Sequence, residues 1–440
     1  MALARNQLLI KLSAALAVFA AAILTFALLN RNTPTTAAGS GVGDNPAALA
    51  NASTDVQIAH YQALVRAYPK DSRGYDSLGN AYLQKVRETG DASYYTRAGA
   101  VFATAERLNP RDPAAATGMG ALALARHDFR GGLRWGLEAR RLAPFVVKPY
   151  GVVVDAQVEL GQYREAGRTL QRMVDLQPNL ASYARASYWD ELHGDLPGAT
   201  RAMQLAVSAG GGAAENVSYV QTLLGNLYFQ VGKLDAAREA YRQALASFPG
   251  YVPASAGLAN VEAADGDLGT AIRRYRDAVN RLPLPQYVVS LGEAELAAGR
   301  TAAARRDLAL VGAEEKLLQA NGVNTDVDLA LFEASHGSPA RAVTLARRAW
   351  AEAPSVRSAD ALGWALTSAG QPVEGLRWAR RALALGSRDA MFLYHAGMSA
   401  QAAGRAALAR AYLSESLALN PRFSPLYAPR AERALRELGA

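Results

Sequence analysis

Residues 223–250, "LLGNLYFQVGKLDAAREAYRQALASFPG", alternate apolar and polar positions with a helical period. Leu224, Gly225 and Tyr228 lie at i, i+1 and i+4, and Ala237, Tyr241 and Ala244 at i, i+4 and i+7. Each set marks one face of a helix. The turn "VGKLD" is short, so the two helices must be antiparallel neighbours. Pro249 lacks a backbone donor and ends the second helix. Small residues (Gly225, Ala237, Ala244) stand where the helices would press closest, and Leu224, Tyr228 and Tyr241 fill the space beside them.

The pattern recurs. Closing prolines fall at Pro110, Pro144 and Pro178, each 34 residues apart, and Pro249 and Pro283 keep the same interval. Pro354 and Pro421 are 67 apart, one residue short of two periods. The period predicts ten helix pairs between about 72 and 421. Residues 54–69 read as a lone second helix, and "SPLYAPRAERALREL" as a final cap, because the last pair of a stacked array cannot cover its own apolar side. Three places break the phase: seven extra residues near "VRETGDA", about four near 210–218, and about four near 318–322. These are expected to be surface loops, which are cheap in entropy, with "GAEEKLLQANGVN" extending the second helix of its pair.

The spacing of Leu224-Gly225, Tyr228, Gly232, Ala237, Tyr241, Ala244 and Pro249 resembles the tetratricopeptide repeat, with Gln221 standing where that family has an aromatic. The resemblance implies an all-α fold, a right-handed α-superhelix of about ten helix pairs plus a terminal capping helix. It also implies that the residue after each Leu-Gly pair faces a concave groove. Here that position in successive pairs holds Asn80, Ala121, Asp155, Tyr188, Asn226, Asn260, Glu293, Leu331, Trp364 and Met398, with Leu-Gly itself preceding Asn80, Asn226, Glu293 and Trp364. Phe229, Gln230, Tyr219 and Glu191 are further groove candidates. In O-linked N-acetylglucosamine transferases a ladder of groove asparagines holds peptide backbones, and Asn226 and Asn260 stand one period apart. The basic half of a carboxylate clamp is missing, since Asp76, Thr222, Ala256 and Val289 occupy its places.

The first 53 residues follow a different pattern. Residues 12–29, "LSAALAVFAAAILTFALL", are uncharged, and as a helix they would span about 27 Å, close to a bilayer's hydrocarbon core. Arg5 and Lys11 precede them and only Arg31 follows closely. The positive-inside rule then leaves the N-terminus in the cytoplasm and the array outside. The expected organisation is a signal anchor over 1–31, a flexible linker over 32–53 and the solenoid over 54–440. Cleavage and secretion is the rival for the first segment, although its apolar run is longer than signal peptides favour.

Composition narrows the chemistry. Cysteine is absent, which excludes disulfides, thiolate metal sites and cysteine nucleophiles. The formal charge is +8, and about +5 remains once Arg5, Lys11 and Arg31 are set aside. That mild excess, without aromatic interleaving, does not predict a nucleic-acid partner. The five histidines lack metal-ligand spacing, and His127, His193 and His336 fall at turns between paired helices. "SAGGGAA" has no Lys-Ser/Thr closure and follows a helix, the reverse of a phosphate loop. Arginine pairs such as Arg140-Arg141, Arg273-Arg274, Arg305-Arg306, Arg347-Arg348 and Arg380-Arg381 read as a solvated convex face.

The function expected is a membrane-tethered, non-catalytic scaffold that presents its groove to a peptide or helix of a partner protein, in the assembly of an envelope complex. No cofactor, metal or small-molecule substrate is expected. An accessory subunit of a glycan- or envelope-processing enzyme and a soluble cytoplasmic adaptor are the alternatives.

Overall fold

The computed structural model describes residues 49, 52–210 and 213–439, and the helices below belong to the unit Ala50–Ala440. The expected anchor (1–31) and nearly all of the linker (32–53) lie outside the described residues. No helix among the described residues is long and apolar enough to cross a membrane.

The architecture is all-helical among the described residues and follows the predicted order. A lone helix, α1 (Thr54–Ala67), comes first. The first five pairs are α2 (Ser72–Thr89) with α3 (Ser93–Leu108), α4 (Pro113–Ala125) with α5 (Phe129–Leu142), α6 (Val147–Glu159) with α7 (Tyr163–Leu176), α8 (Leu180–Leu192) with α9 (Leu196–Ala209), and α10 (Ala214–Gln230) with α11 (Leu234–Ser247). Pairs six and seven are α12 (Val252–Ala264) with α13 (Leu268–Arg281) and α14 (Pro285–Ala297) with α15 (Thr301–Leu308). After an extra helix, α16 (Val311–Ala320), the last three pairs are α17 (Asp326–His336) with α18 (Pro339–Glu352), α19 (Val356–Ser368) with α20 (Pro372–Ala382), and α21 (Ala390–Ala402) with α22 (Ala406–Leu419). The cap is α23 (Ala428–Gly439).

Local chemistry sets these boundaries. Asp112, Asp128, Asp195 and Asp267 accept hydrogen bonds from the first-turn amides of α4, α5, α9 and α13, satisfying donors that a helix start leaves open. Asn179 and Ser355 form capping boxes with Ser182 and Ser358.

Packing between pairs depends on one recurrent wedge. The ring of Tyr241 on α11 is fully buried between Gly225 of its own pair and Gly257 of the next. A Cβ on Gly225 would lie 2.5 Å from the ring, and one on Gly257 would overlap it. Phe102 on α3 sits in the same way between Gly79 and Gly118. Burying such a ring contributes about 1.5–3 kcal/mol. In the second pair the sizes are exchanged: Gly136 on α5 faces Val152 and Val153 of α6.

The insertions predicted as loops are mostly helix. The first pair carries its seven extra residues as a longer α2 (18 residues, against 13 in α4) and a longer α3 (16, against 14 in α5). About four more lengthen the start of α10, which has 17 residues. Residues 311–320 form a separate helix rather than extending α15, because the chain turns at Ala309-Leu310.

All three insertions lie where the superhelix returns to meet itself. Glu215, in the added turn of α10, accepts from Gln84 (3.1 Å) in the lengthened α2 and pairs with Arg87 at 3.4 Å. Behind α16, Asn324 donates to the Arg126 carbonyl (2.9 Å), and its own carbonyl lies 2.6 Å from His127 Nδ1. The same register recurs along the array, with the turn inside each of the first five pairs lying against the loop that follows the pair five places on. Gly90 meets Leu282, Gly161 meets Pro354, Gly194 meets Gly386 and Gly232 meets Asn420. Tyr163 Oη accepts from Val356 N (2.8 Å), Ser387 Oγ donates to Leu192 O (2.7 Å), and Asn420 Nδ2 donates to Phe229 O (2.7 Å).

Three substitutions test this packing. Gly225→Leu overpacks the wedge and is expected to lose about 1–3 kcal/mol in urea denaturation. Gly161 and Gly299 both have left-handed backbones (φ 69° and 73°), yet only Gly161 abuts the returning turn. Gly161→Ala should raise the radius of gyration in small-angle scattering. Gly299→Ala should leave it unchanged while carrying a similar backbone strain, about 1–2 kcal/mol.

Candidate functional site: the interior of the superhelix

Because the second turn stacks on the first, the concave side is an enclosed bore rather than an open groove. Two cavities, of about 690 and 630 Å³, adjoin at His127 and Arg357. The larger lies between α6, α8 and α10 on one side and the loops around Val356 and Ser387–Asp389 on the other. The smaller lies among α14, α16 and α17, with Tyr427 of the chain end in its wall.

The predicted groove positions divide in two. Asp155, Tyr188, Asn226 and Gln230 line the larger cavity, as do Tyr219 and Glu191, and Glu293 and Leu331 line the smaller. Asn80, Asn260, Phe229 and Trp364 are not in either wall. Asn80 Nδ2 donates to the Asp76 carbonyl of its own helix at 2.8 Å. Phe229 packs into the core formed by α11 and α12. Trp364 donates to Ser335 Oγ (2.9 Å) and stacks on His395 (4.5 Å, 15°), which itself contacts Asp360 at 2.9 Å.

The asparagine ladder is tied into the wedge. Tyr241 donates to Asn226 Oδ1 at 2.8 Å, and Tyr275 donates to Asn260 Oδ1. Each amide therefore satisfies the hydroxyl of a buried tyrosine, which burial would otherwise leave unpaired. Only Asn226 also reaches the bore.

The remaining polar side chains form a partly paired set. Asp155 accepts both Nε (2.8 Å) and Nη2 (2.6 Å) of Arg185. Burial disfavours the Arg185 charge, and Asp155 more than offsets it. Glu293 accepts from Tyr427 at 2.8 Å and lies 2.9 Å from His336 Nε2. That contact ties the chain end to the seventh pair, and it uses a histidine that ends α17 rather than standing in the turn. Gln230 donates to Arg388 O at 3.0 Å. Arg357 lies 3.6 Å from Asp328 and Arg388 3.8 Å from Glu415.

The bore is acidic in a basic chain. Asp155, Glu159, Glu191 and Asp389 line the larger cavity and Glu293, Glu315 and Asp328 the smaller, seven carboxyl groups in all. Only three arginines, Arg185, Arg357 and Arg388, join them there, although the chain as a whole carries +8. Burial, then the Asp389 charge, pushes Glu191 up to about 7, against a smaller opposing effect of the Gln230 amide. Burial also raises Glu159 and Tyr188, with the Glu159 and Glu191 charges adding to the effect on Tyr188. Tyr188 and Tyr219 remain 36% and 48% open to water, so the bore is enclosed but wide enough to be wet.

Sequence reasoning missed Arg185, Glu159 and Arg357. Arg185 and Arg357 lie outside the position after Leu-Gly, and Arg357 reaches the bore only through the returning second turn. The convex arginines are less free than expected. Arg274 is bidentate to Glu262 (2.6–3.0 Å), Arg348 pairs with Asp326, and Arg381 lies 4.6 Å over the Trp350 ring. Among the described residues, no group of three or more His, Asp or Glu is arranged to hold a metal ion.

The family model that matches is the tetratricopeptide repeat, over residues 218–251. No curated protein matches the chain. Three solved structures are similar to this chain. A thermophilic TPR protein of Thermus thermophilus, TTC0263, is 21% identical, covering 42% of this chain and 94% of that one, with a TM-score of 0.37. The APC/C hetero-tetramer Cut9-Hcn1 is 14% identical over 88% of this chain and 93% of that one (TM-score 0.32). The human IFIT1 dimer with PPP-AAAA is 16% identical over 85% and 94% (TM-score 0.45). Tetratricopeptide repeat proteins generally mediate protein–protein interactions and are typically non-catalytic scaffolds.

The raised Glu191 carboxyl makes stability depend on pH. Its pKa is about 7 when folded, against an ordinary value of 4.5. As pH rises between these values the unfolded chain loses the proton first, so stability falls, and above about 7 the penalty is constant. Glu191→Gln should match the parent near pH 4 and exceed it by about 1–2 kcal/mol at pH 8, after allowance for water in the bore. Urea denaturation at the two pH values measures the difference.

Proposed function

We propose that this protein is a non-catalytic scaffold that holds an extended segment of a partner polypeptide inside its superhelical bore. The observation that carries this reading is the bore itself, where the positions after the Leu-Gly pairs, Asp155, Tyr188 and Asn226, share one wall with Tyr219 and Gln230. Extended chains need backbone donors and acceptors together with aromatic surface, and Asn, Gln and Tyr side chains supply both. An excess of carboxylates in that space repels a phosphate backbone, which argues against nucleic acid.

The proposal extends to location. The apolar run 12–29 and its basic flank support a signal anchor that leaves the array outside the cytoplasm, with residues 32–53 as a tether. Assembly of an envelope complex is the setting this topology suits.

A photo-crosslinking amino acid placed at Tyr219 in living cells should capture a polypeptide partner, whereas the same residue at Arg242, on the exposed face of α11, should not. Equal capture from both positions would refute binding in the bore. Protease added to spheroplasts should digest the array, and full protection would refute the topology.

A further inference from the structure

We infer that the larger cavity takes a lysine or arginine side chain of the bound segment, seated between Glu159 and Glu191 against the ring of Tyr188. This inference rests on the proposed binding of a polypeptide in the bore and names the chemistry that the site selects.

Within the larger cavity, the other carboxylates already have partners. Asp155 holds Arg185 with two hydrogen bonds, and Asp389 accepts from the Met391 and Phe392 amides at the start of α21. Glu159 and Glu191 both face the cavity and form no ion pair among the described residues. The Gln230 amide, which donates to the Arg388 carbonyl, also acts on Glu191, but only as a neutral hydrogen-bond donor. The bore's arginines lie nearest other acids, Arg357 3.6 Å from Asp328 and Arg388 3.8 Å from Glu415, and the Arg357 charge reaches Glu159 without forming an ion pair with it. Two carboxylates are thus removed from bulk water with no cation in direct contact, an arrangement that an incoming cation relieves.

Tyr188 adds a second, independent feature. It lies one helical turn before Glu191 on α8, so both side chains leave the same face. Its ring is open to the cavity rather than packed into the core. A cation over an aromatic face gains a further attraction, larger where water is scarce. The cavity, about 690 Å³, has room for a long side chain with the backbone that carries it. An acidic residue at this point meets like charge, and an apolar one leaves both carboxylates unsatisfied. Because Glu159 and Glu191 hold protons more tightly than usual, seating a cation should release protons to the solvent.

The test uses the purified full-length chain in detergent and a fluorescent library of 12-residue peptides, in pools that each fix one position as Lys, Arg, Ala, Glu or Asp. Retention of the Lys and Arg pools should exceed that of the Glu and Asp pools by about tenfold or more. The Glu159→Gln/Glu191→Gln double variant, folded by circular dichroism, should lose that preference and still bind peptide. Tyr188→Leu should weaken the Lys and Arg pools selectively. Binding of all pools alike, or a preference unchanged in the double variant, overturns the cation site and leaves peptide binding intact. No retention of any pool overturns both readings.

Discussion

Tyr241 lies with its ring pressed between the backbones at Gly225 and Gly257, and Phe102 repeats the arrangement between Gly79 and Gly118. At these two places the wedge fixes how far one helix pair rotates on the next. A bulky residue on the second helix reaches two successive first helices only if both present bare backbone. The rotation per pair then accumulates with no freedom to correct it. Packed interiors deform little, so the pitch of the whole superhelix depends on these few contacts. The hydroxyls of Tyr241 and Tyr275 extend the constraint inward by binding Asn226 and Asn260. The core therefore holds two of the side chains that would otherwise be most free to bind a ligand.

The pitch decides which parts of the chain meet. With the turn of each pair lying on the loop five pairs further along, a one-dimensional array acquires contacts between residues nearly two hundred positions apart, such as Tyr163 with Val356 and Leu192 with Ser387. Repeat arrays gain most of their stability from neighbouring units, and here a second set of contacts adds to it. The polar contacts are mostly single hydrogen bonds to backbone carbonyls and amides. Apolar contacts join them, since Val356 packs in one core with Val158 and Leu192, and Leu196 in another with Leu393 and Leu419.

The enclosed bore also explains why side chains that are half open to water behave as buried ones. Tyr219 and Arg357 remain accessible to solvent, yet protein surrounds them on several sides, and the charges of Glu159 and Asp155 act on them across a short, poorly screened distance. Burial raises Glu159 and Glu191 together, while Asp155 stays paired with Arg185. The site is therefore asymmetric, with a neutralised ion pair at one side and two carboxylates without a contacting cation at the other.

Much of this was legible in the sequence. The 34-residue period, the Leu-Gly pairs and the closing prolines determined ten helix pairs, the lone leading helix and the cap, because each depends on the spacing of small and bulky residues within a few turns of helix. The family resemblance that this spacing carries placed Asp155, Tyr188, Asn226 and Glu293 on the inner face. The sequence by itself also established the charge excess and the absence of cysteine. Only the tertiary structure decided that the inner face is a closed bore, that the three insertions are meeting points rather than loops, and that Asn260 and Trp364 are held within the wall. It alone brought Arg357 opposite Glu159, and Tyr427 to Glu293. These depend on the summed rotation of many pairs, a small angle at each step that no local pattern encodes, and so the partners of a residue in the first turn are set by packing throughout the turn between them.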